Sequence, residues 1–192
     1  MTALPQPLDH LLTVGEYAEL GETKTGYTEL IQGRLLMSPS PIPDHNHASS
    51  DLLVQLRPQL PEHLEVLLDI DIDLELVEHD QPGFSRRPDL MIVERSARKR
   101  VRRQGGLIRA SEVLVVAEIV SPSSWRIDNV DKRGEYAEAG IPWYWIVDTD
   151  EPISLIACQN TASHGYQDHQ RATGAFVTEQ PFSIRLELDR LL

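Results

Sequence analysis

Cysteine and long apolar runs are almost absent from this chain of 192 residues, and both absences narrow its class. The only cysteine is Cys158, which excludes an intramolecular disulfide and a cysteine-based zinc cluster. No run of about 18 apolar residues occurs, so we expect no membrane span. The N-terminus also lacks the basic and then apolar pattern of a secretion signal. These absences favour a cytoplasmic protein.

Basic residues are few as well, and lysine is much rarer than arginine. The formal net charge is −12, which argues against a protein that coats nucleic acid non-specifically. The 18 basic residues comprise 15 arginines and only three lysines, so each position that keeps a lysine is of interest. One of these positions is Lys132.

Eight of the 18 basic residues nevertheless lie within residues 86–103, together with only two acids. We expect residues 94–112 to form a loop with room for a helical turn. A basic loop on an acidic body can hold a phosphate backbone, although such a loop is also commonly just solvated. The candidate contacts to nucleic acid are Arg95, Arg98, Arg100, Arg102 and Arg103.

What the chain does contain is an apolar, β-branched run from Val113 to Val120 that is interrupted by one carboxylate, Glu118. The run predicts a strand buried on both faces. Burying a carboxylate costs free energy unless a cation or a hydrogen-bond network compensates for its charge. Glu118 therefore pairs with an arginine, lies at the wet end of the strand, or binds a metal ion.

The segment after this strand predicts a helix over 127–139, because Gly140 and Pro142 stand where helices end. An apolar strand over 143–147 follows. A strand, a helix and a further strand make a βαβ unit, so strands 113–120 and 143–147 are expected to be parallel.

The other elements follow from capping residues, glycine turns and alternation. They are a helix from Thr13 to about Leu20, a hairpin over 27–37 turning at Gln32-Gly33, a helix from about His45 to Arg57 capped by Asp44, strands over 66–77 and 85–93 joined by a turn at Pro82-Gly83, and short strands near 153–158, 166–171 and 182–188. Together they predict an α/β (α+β) fold with one domain over residues 1–192 and a mixed β-sheet flanked by helices. Strands 66–77, 85–93, 113–120 and 143–147 should adjoin in this sheet.

Three sets of polar side chains fall on these elements. Alternate positions of residues 68–76 are acidic and either face water or flank a cation: Asp69, Asp71, Asp73 and Glu75. His45 and His47 are two apart on a helix, which makes them a poor metal pair. Asp128, Lys132 and Tyr136 are spaced by four and form one stripe along their helix.

Pro88 cannot donate a ladder hydrogen bond, so the strand over 85–93 is kinked or begins there. Asp89 follows at once at the mouth of the apolar segment, so Asp89 and Glu118 are carboxylates at the ends of neighbouring strands. Lys132 stands on the next helix. Hard oxygen ligands of this kind suit Mg²⁺ or Mn²⁺ with several waters retained. A lysine beside them can position or deprotonate a water, or stabilise the charge on a phosphate. The set predicts metal-assisted hydrolysis of phosphodiesters.

These residues resemble the PD-(D/E)XK nuclease superfamily, and the chain is more closely similar to the Uma2 family of restriction endonucleases (DUF820). The matching pieces keep one order over about residues 10–150. They are Tyr27 to Gly33 (Y-T-E-L-I-Q-G), His47, Pro88-Asp89-Leu90, Glu118 to Ser123 (E-I-V-S-P-S), Asp128-x-x-x-Lys132-x-x-x-Tyr136, Gly140-Ile141-Pro142 and Tyr144 to Asp148 (Y-W-I-V-D). Each piece is weak alone, and the ordered set is specific.

The resemblance implies a restriction-endonuclease-like core with Asp89 and Glu118 as metal ligands and the Ile119 carbonyl as a third. The superfamily lysine two residues after the strand glutamate is absent, since position 120 is a valine. In the Uma2 pattern Lys132 takes its place, whereas the alternative is a surface pair with Asp128 or Tyr136. Glu29 joins the catalytic set by resemblance only.

Two main functions compete on this basis. The leading one is a Mg²⁺-dependent endodeoxyribonuclease, and the alternative is a non-catalytic DNA- or protein-binding regulator that retains the nuclease fold. An enzyme for another phosphoester or a nucleotide would share the site without needing the basic segment. We also expect a homodimer, because nucleases that cut both strands commonly pair and because Trp143 and Tyr144 exceed what a small sheet needs.

Overall fold

The computed structural model describes residues 10–21, 26–37, 42–120, 127–161 and 163–192, with side chains in these ranges except at 127–129. Its helices and strands follow in the order α1 (Val14–Leu20), β1 (Thr28–Ile31), β2 (Arg34–Met37), α2 (Pro43–Leu56), β3 (Leu64–Leu68), β4 (Ile72–Asp73), β5 (Ser85–Arg86), β6 (Leu90–Glu94), α3 (Arg95–Gln104), β7 (Ile108–Arg109), β8 (Val113–Val120), a π-helical segment (Ile127–Lys132), α4 (Arg133–Glu138), β9 (Trp143–Asp148), β10 (Ser154–Thr161), β11 (Gly165–Thr173), β12 (Ala175–Thr178) and β13 (Ile184–Glu187).

The main sheet has six strands in the order β11-β10-β9-β8-β6-β3, which puts the buried strand β8 near its centre. β8 and β9 run parallel, and Glu118 lies opposite Ile146. The other neighbouring pairs in this sheet are antiparallel. The parallel pairing predicted from the βαβ unit is therefore confirmed.

A second, smaller sheet has the order β2-β1-β5-β4-β7, and it contains parts of the two strands predicted over 66–77 and 85–93. The expected strand over 66–77 is wrong, because β3 belongs to the main sheet and β4 to the small one. The chain turns between them at Asp69, whose φ is 50°, a left-handed value that aspartate tolerates better than most residues. The strand over 85–93 is interrupted at Pro88, as its missing ladder donor predicted, since β5 ends before Pro88 and β6 begins after it.

Two layers cover the main sheet. On one face, Leu52 and Leu56 of α2 pack with Trp145 of β9 and with the β12–β13 hairpin. On the other face, Tyr136 of α4 packs with Val116 and with further aromatic side chains. Trp143 is 5% exposed and Tyr144 is fully buried. These two residues belong to the core of the chain, so their expected role in a dimer interface is wrong.

Several local predictions can be compared directly. Thr13 and Glu16 form the expected capping box of α1, and the hairpin turns at Gln32 and Gly33 with positive φ at both. The expected cap of α2 is wrong, because the helix begins at Pro43 with Ile42 as N-cap and Asp44 lies in its first turn.

The basic segment predicted as a loop is instead a helix of ten residues, α3. Ala97 lies on its buried side, and the partly buried Val101, one turn later, packs on the same core. None of the helices in the described ranges is long and apolar enough to cross a membrane.

Candidate active site

Glu118 lies near the carboxyl end of β8, on the face covered by α4, and is 1% exposed. Its Oε1 accepts hydrogen bonds from Lys132 Nζ at 3.0 Å and from the Tyr136 hydroxyl at 2.8 Å. Lys132 and Tyr136 are one helical turn apart, so both reach the same oxygen. Among the described residues, the partners of this buried charge are a lysine and a phenol, and Glu118 is not exposed at a wet end of the strand.

The Tyr136 hydroxyl remains protonated and therefore keeps donating its hydrogen bond to Glu118. Burial raises the pKa of its hydroxyl well above the ordinary value, and the negative charges of Glu118 and Glu29 raise it further. The hydroxyl therefore stays protonated at any physiological pH, and it fixes the position of the Glu118 carboxylate.

Glu29 brings the small sheet into contact with this group. Its carboxylate is buried and accepts from Arg86 Nη1 at 2.8 Å and from the backbone N–H of Arg87 at 3.1 Å. Its Oε1 also lies 3.8 Å from Lys132 Nζ. Lys132 thus stands between two carboxylates, one from each sheet, and it is buried rather than on the surface.

Arg86 is the second buried cation and is 2% exposed. Its Nε and Nη2 bind the Glu135 carboxylate at 2.5 and 2.8 Å, while Nη1 holds Glu29. Burial opposes the charge of Arg86, but the hydrogen bonds and charges of Glu135 and Glu29 outweigh it and raise its pKa. Arg86 therefore ties β1 and β5 to α4, the helix that also carries Tyr136.

Asp89 stands immediately before β6 and turns its side chain toward β8. Its Oδ2 accepts the backbone N–H of Ile119 at 2.7 Å. Because Leu90 pairs with Ala117 in the antiparallel ladder, one further step of the register sets Asp89 opposite Glu118. The structure thus brings Asp89, Glu118, Ile119, Lys132 and Glu29 to one end of the main sheet.

Two further residues adjoin Asp89. His45 Nε2 lies 3.1 Å from Asp89 Oδ2, whereas His47, the histidine of the family resemblance, is exposed. The backbone N–H of Asp69 donates to the Asp89 carbonyl at 3.3 Å. Burial, together with the charge of Asp89, raises the pKa of Asp69. The acids of residues 68–76 therefore do not form one continuous face, because the chain turns at Asp69.

The candidate nucleic-acid contacts are not brought to this end of the sheet. α3 starts at Arg95, at the end of β6 away from Asp89. Arg98 is paired with Glu65, and Arg100 binds Glu112 through two hydrogen bonds of 2.6 Å.

The other three arginines of α3 differ in what they contact. Arg95 donates to the Leu64 carbonyl. Arg102 and Arg103 are exposed and have no ion pair with a described residue.

Arg86, Glu135 and His45 were not predicted as members of the site. Arg86 is 57 residues from Glu29 and 49 from Glu135 along the chain, so no local spacing indicates these bonds. His45 was set aside together with His47 as a poor metal pair, although its contact is with Asp89. The side chain of Asp128 and the segment 121–126, with the Ser121-Pro122-Ser123 motif, lie outside the described residues.

The charges of this end of the sheet do not balance. Among the described residues, the carboxylates of Glu29, Glu118, Glu135 and Asp89 meet only the two permanent cations Arg86 and Lys132. No three His, Cys, Asp or Glu side chains of the described ranges form a group placed to hold a metal ion. Mg²⁺ usually binds through one or two carboxylates and keeps several waters, so the donor chemistry of Asp89 and Glu118 fits that ion.

Comparison with known proteins adds two findings. The sequence model of the Uma2 family, described as "Putative restriction endonuclease", matches residues 14–189. A solved structure titled "putative nuclease belonging to DUF820", from Anabaena variabilis ATCC 29413, is similar with a TM-score of 0.69 and 19% identity, over 94% of this chain and 97% of that one. No curated protein matches the chain. The predicted α/β (α+β) fold with a restriction-endonuclease-like core is confirmed.

Proposed function

The chain belongs to the Uma2 family, and we propose that it is a Mg²⁺- or Mn²⁺-dependent endonuclease that hydrolyses phosphodiester bonds in DNA. The proposal depends above all on the hydrogen bond from the Ile119 N–H to Asp89, because it sets this carboxylate beside Glu118 at the end of β8. The proposal treats residues 1–192 as one nuclease domain. Its expected compartment is the cytoplasm.

Asp89 and Glu118 would hold the metal ion in this proposal, with the Ile119 carbonyl as a third oxygen. A divalent cation carries the two positive charges by which the carboxylates of the cluster exceed Arg86 and Lys132. When bound, such an ion lowers the pKa of a coordinated water and neutralises charge on the phosphate.

The other residues of the cluster have separate roles. Lys132 donates a hydrogen bond to Glu118, and in this proposal its ammonium group orients the attacking water or stabilises the phosphate. Tyr136 fixes the Glu118 carboxylate by its own hydrogen bond. Arg86 holds Glu29 within 3.8 Å of Lys132 and anchors α4 through Glu135, so it positions groups without touching substrate.

The test is incubation of supercoiled plasmid with the protein and Mg²⁺ or Mn²⁺, with EDTA as the control. We expect nicked and linear products only with the ion. Asp89→Asn should abolish cleavage, and Lys132→Met should slow it by about a hundredfold or more. Val54→Ala, at a site 64% exposed on α2, is the matched control and should cleave normally. Intact plasmid with both ions, or full activity of Asp89→Asn, would contradict the proposal.

A non-catalytic DNA- or protein-binding regulator is the second candidate. The net charge of −12 favours it, as does the direct bond of Lys132 to Glu118, which resembles a finished structural ion pair. The plasmid assay separates the two functions, because a DNA-binding regulator retards the plasmid on a gel without cutting it and a protein-binding one does neither.

The endonuclease proposal includes a homodimer for one reason only: cleavage of both DNA strands commonly needs two active sites. Trp143 and Tyr144 no longer support it, because both are buried within the chain. Light scattering at micromolar concentration measures the state directly, and a monomer would remove this part of the proposal.

A further inference from the structure

The imidazole of His45 contacts the carboxylate of Asp89, although the proposed function gives His45 no role. Its Nε2 atom lies 3.1 Å from Asp89 Oδ2. The same oxygen accepts the backbone N–H of Ile119 at 2.7 Å. Asp89 Oδ2 is therefore contacted by two elements at once, the strand β8 and the helix α2.

The sequence of α2 directs His45 toward the main sheet. Four side chains that follow it at helical intervals are buried: Ala48, Ser49, Leu52 and Leu56. Intervals of three, four, seven and eleven residues place them on the same face of an α-helix as His45. His47 lies two positions further on, which is a different face, and it is exposed. The packing of α2 on the sheet therefore sets the position of His45 beside Asp89.

Two contacts on one oxygen restrict how the Asp89 carboxylate can turn. With the Ile119 N–H alone, the carboxylate can still rotate about the axis of that hydrogen bond. A second polar contact, made from α2, removes this freedom. A carboxylate oxygen accepts about two hydrogen bonds. Oδ1 is therefore the oxygen of Asp89 that is better placed to bind a metal ion.

A neighbouring acid makes this restriction important. The backbone N–H of Asp69 donates to the Asp89 carbonyl, so the two residues are neighbours across β3 and β6. Burial raises the pKa of Asp69, and the charge of Asp89 raises it further, because the two carboxylates repel each other. The charge of His45 acts on Asp69 in the opposite direction. Without His45, we expect the Asp89 carboxylate to turn away from Asp69.

We propose that His45 is a positioning residue, which holds Asp89 so that Oδ1 faces the metal ion. The inference rests on the proposed function, since the ion is the one that Asp89 and Glu118 would bind. A neutral imidazole with its proton on Nε2 can make this contact, so His45 need not change its charge. Carboxylates that bind metal ions are commonly oriented by a further polar group in this way. His45 itself does not touch the ion.

Titration calorimetry with Mg²⁺ and, separately, with Mn²⁺ measures the effect of His45 on the ion. His45→Ala should weaken the binding of both ions by about tenfold, because both use the same carboxylate. His45→Gln places an amide N–H near the position of Nε2 and should retain most of the affinity. His47→Ala, which removes an exposed histidine of the same helix, is the matched control.

Two results of this titration would overturn the inference. One is unchanged affinity for both ions in His45→Ala. The other is a loss confined to Mn²⁺, which would make His45 a ligand of the ion, because a ring nitrogen favours a transition metal over Mg²⁺.

Hydrogen exchange of the Ile119 N–H in EDTA tests the hold on Asp89 without any ion. We expect exchange about tenfold faster in His45→Ala, and the wild-type rate in His45→Gln and His47→Ala. The amides of β8 that bond to the backbone of β6 should keep their rates, which separates positioning from a general loss of stability. An unchanged rate in His45→Ala would overturn the inference. If the wild type binds neither ion, the nuclease proposal fails, whereas this measurement still tests the role of His45.

Discussion

At the scale of single residues, the spacing of Lys132 and Tyr136 predicted a shared face, and both side chains do reach Glu118. Spacing was informative here because both partners belong to one helix that packs on the strand before it. The bonds of Arg86 to Glu29 and Glu135 had no such signal, since they join elements distant in sequence. The partners of a buried arginine can be assigned only when the positions of the two sheets relative to each other are known.

A double-mutant cycle measures how far Lys132 stabilises the Glu118 charge. Lys132→Met leaves a buried carboxylate without its cation, so we expect the free energy of unfolding in urea to fall by about 3–5 kcal/mol. In the double variant Lys132→Met, Glu118→Gln no unpaired charge remains, and much of this loss should be recovered. Costs that simply add would show that the pair contributes no coupling. All samples contain EDTA.

At the scale of elements, α3 shows why a charged segment was expected to be a loop. Its arginines would repel one another on an isolated helix. In the structure, Glu65 and Glu112, which lie outside the helix, form ion pairs with two of these arginines. These partners are 33 and 12 residues away from Arg98 and Arg100, beyond the reach of a helical periodicity. The buried Ala97 fixes the helix on the sheet.

Glu112 anchors α3 in a pH-dependent way. The hydrogen bond from Arg100 lowers the pKa of Glu112 below its model-compound value of 4.5, and the Arg109 N–H lowers it further. A lowered pKa gives stability above pH 4.5 that is lost as the pH falls through the folded-state pKa. We expect Glu112→Gln to cost about 2 kcal/mol at pH 7. The difference from the wild type should shrink in urea titrations below pH 4.5, and a constant difference would contradict this assignment.

The structure also shows which arginines of α3 are exposed enough to contact DNA and which are already held by ion pairs. Arg102 and Arg103 are exposed, so replacing both with Ala should weaken DNA binding. The slope of log K against log salt should become shallower by about two, one unit for each lost phosphate contact. Arg98→Ala is the control, because that side chain already pairs with Glu65. Unchanged affinity and slope would mean that the exposed side of α3 is only solvated.

At the scale of the whole molecule, hydrophobic patterning was enough to predict the fold class and the parallel pair β8–β9. It could not show that the first predicted strand breaks at Asp69, because alternation continues through that position, whereas Pro88 did indicate a kink or a strand start. Those breaks create the small sheet and set β1 and β5 against the end of β8. The site therefore depends on the division into two sheets, and Glu29 meets Lys132 only because of it.

The central claim is that, among the described residues at this end of the sheet, carboxylates outnumber permanent cations and that the site binds one divalent cation. Isothermal titration of the metal-free protein with Mn²⁺ tests it most directly. The account predicts one ion bound per chain, loss of binding in Asp89→Asn and in Glu118→Gln, and retained binding in Lys132→Met. No heat of binding to the wild type, or undiminished binding by Asp89→Asn, would contradict the claim.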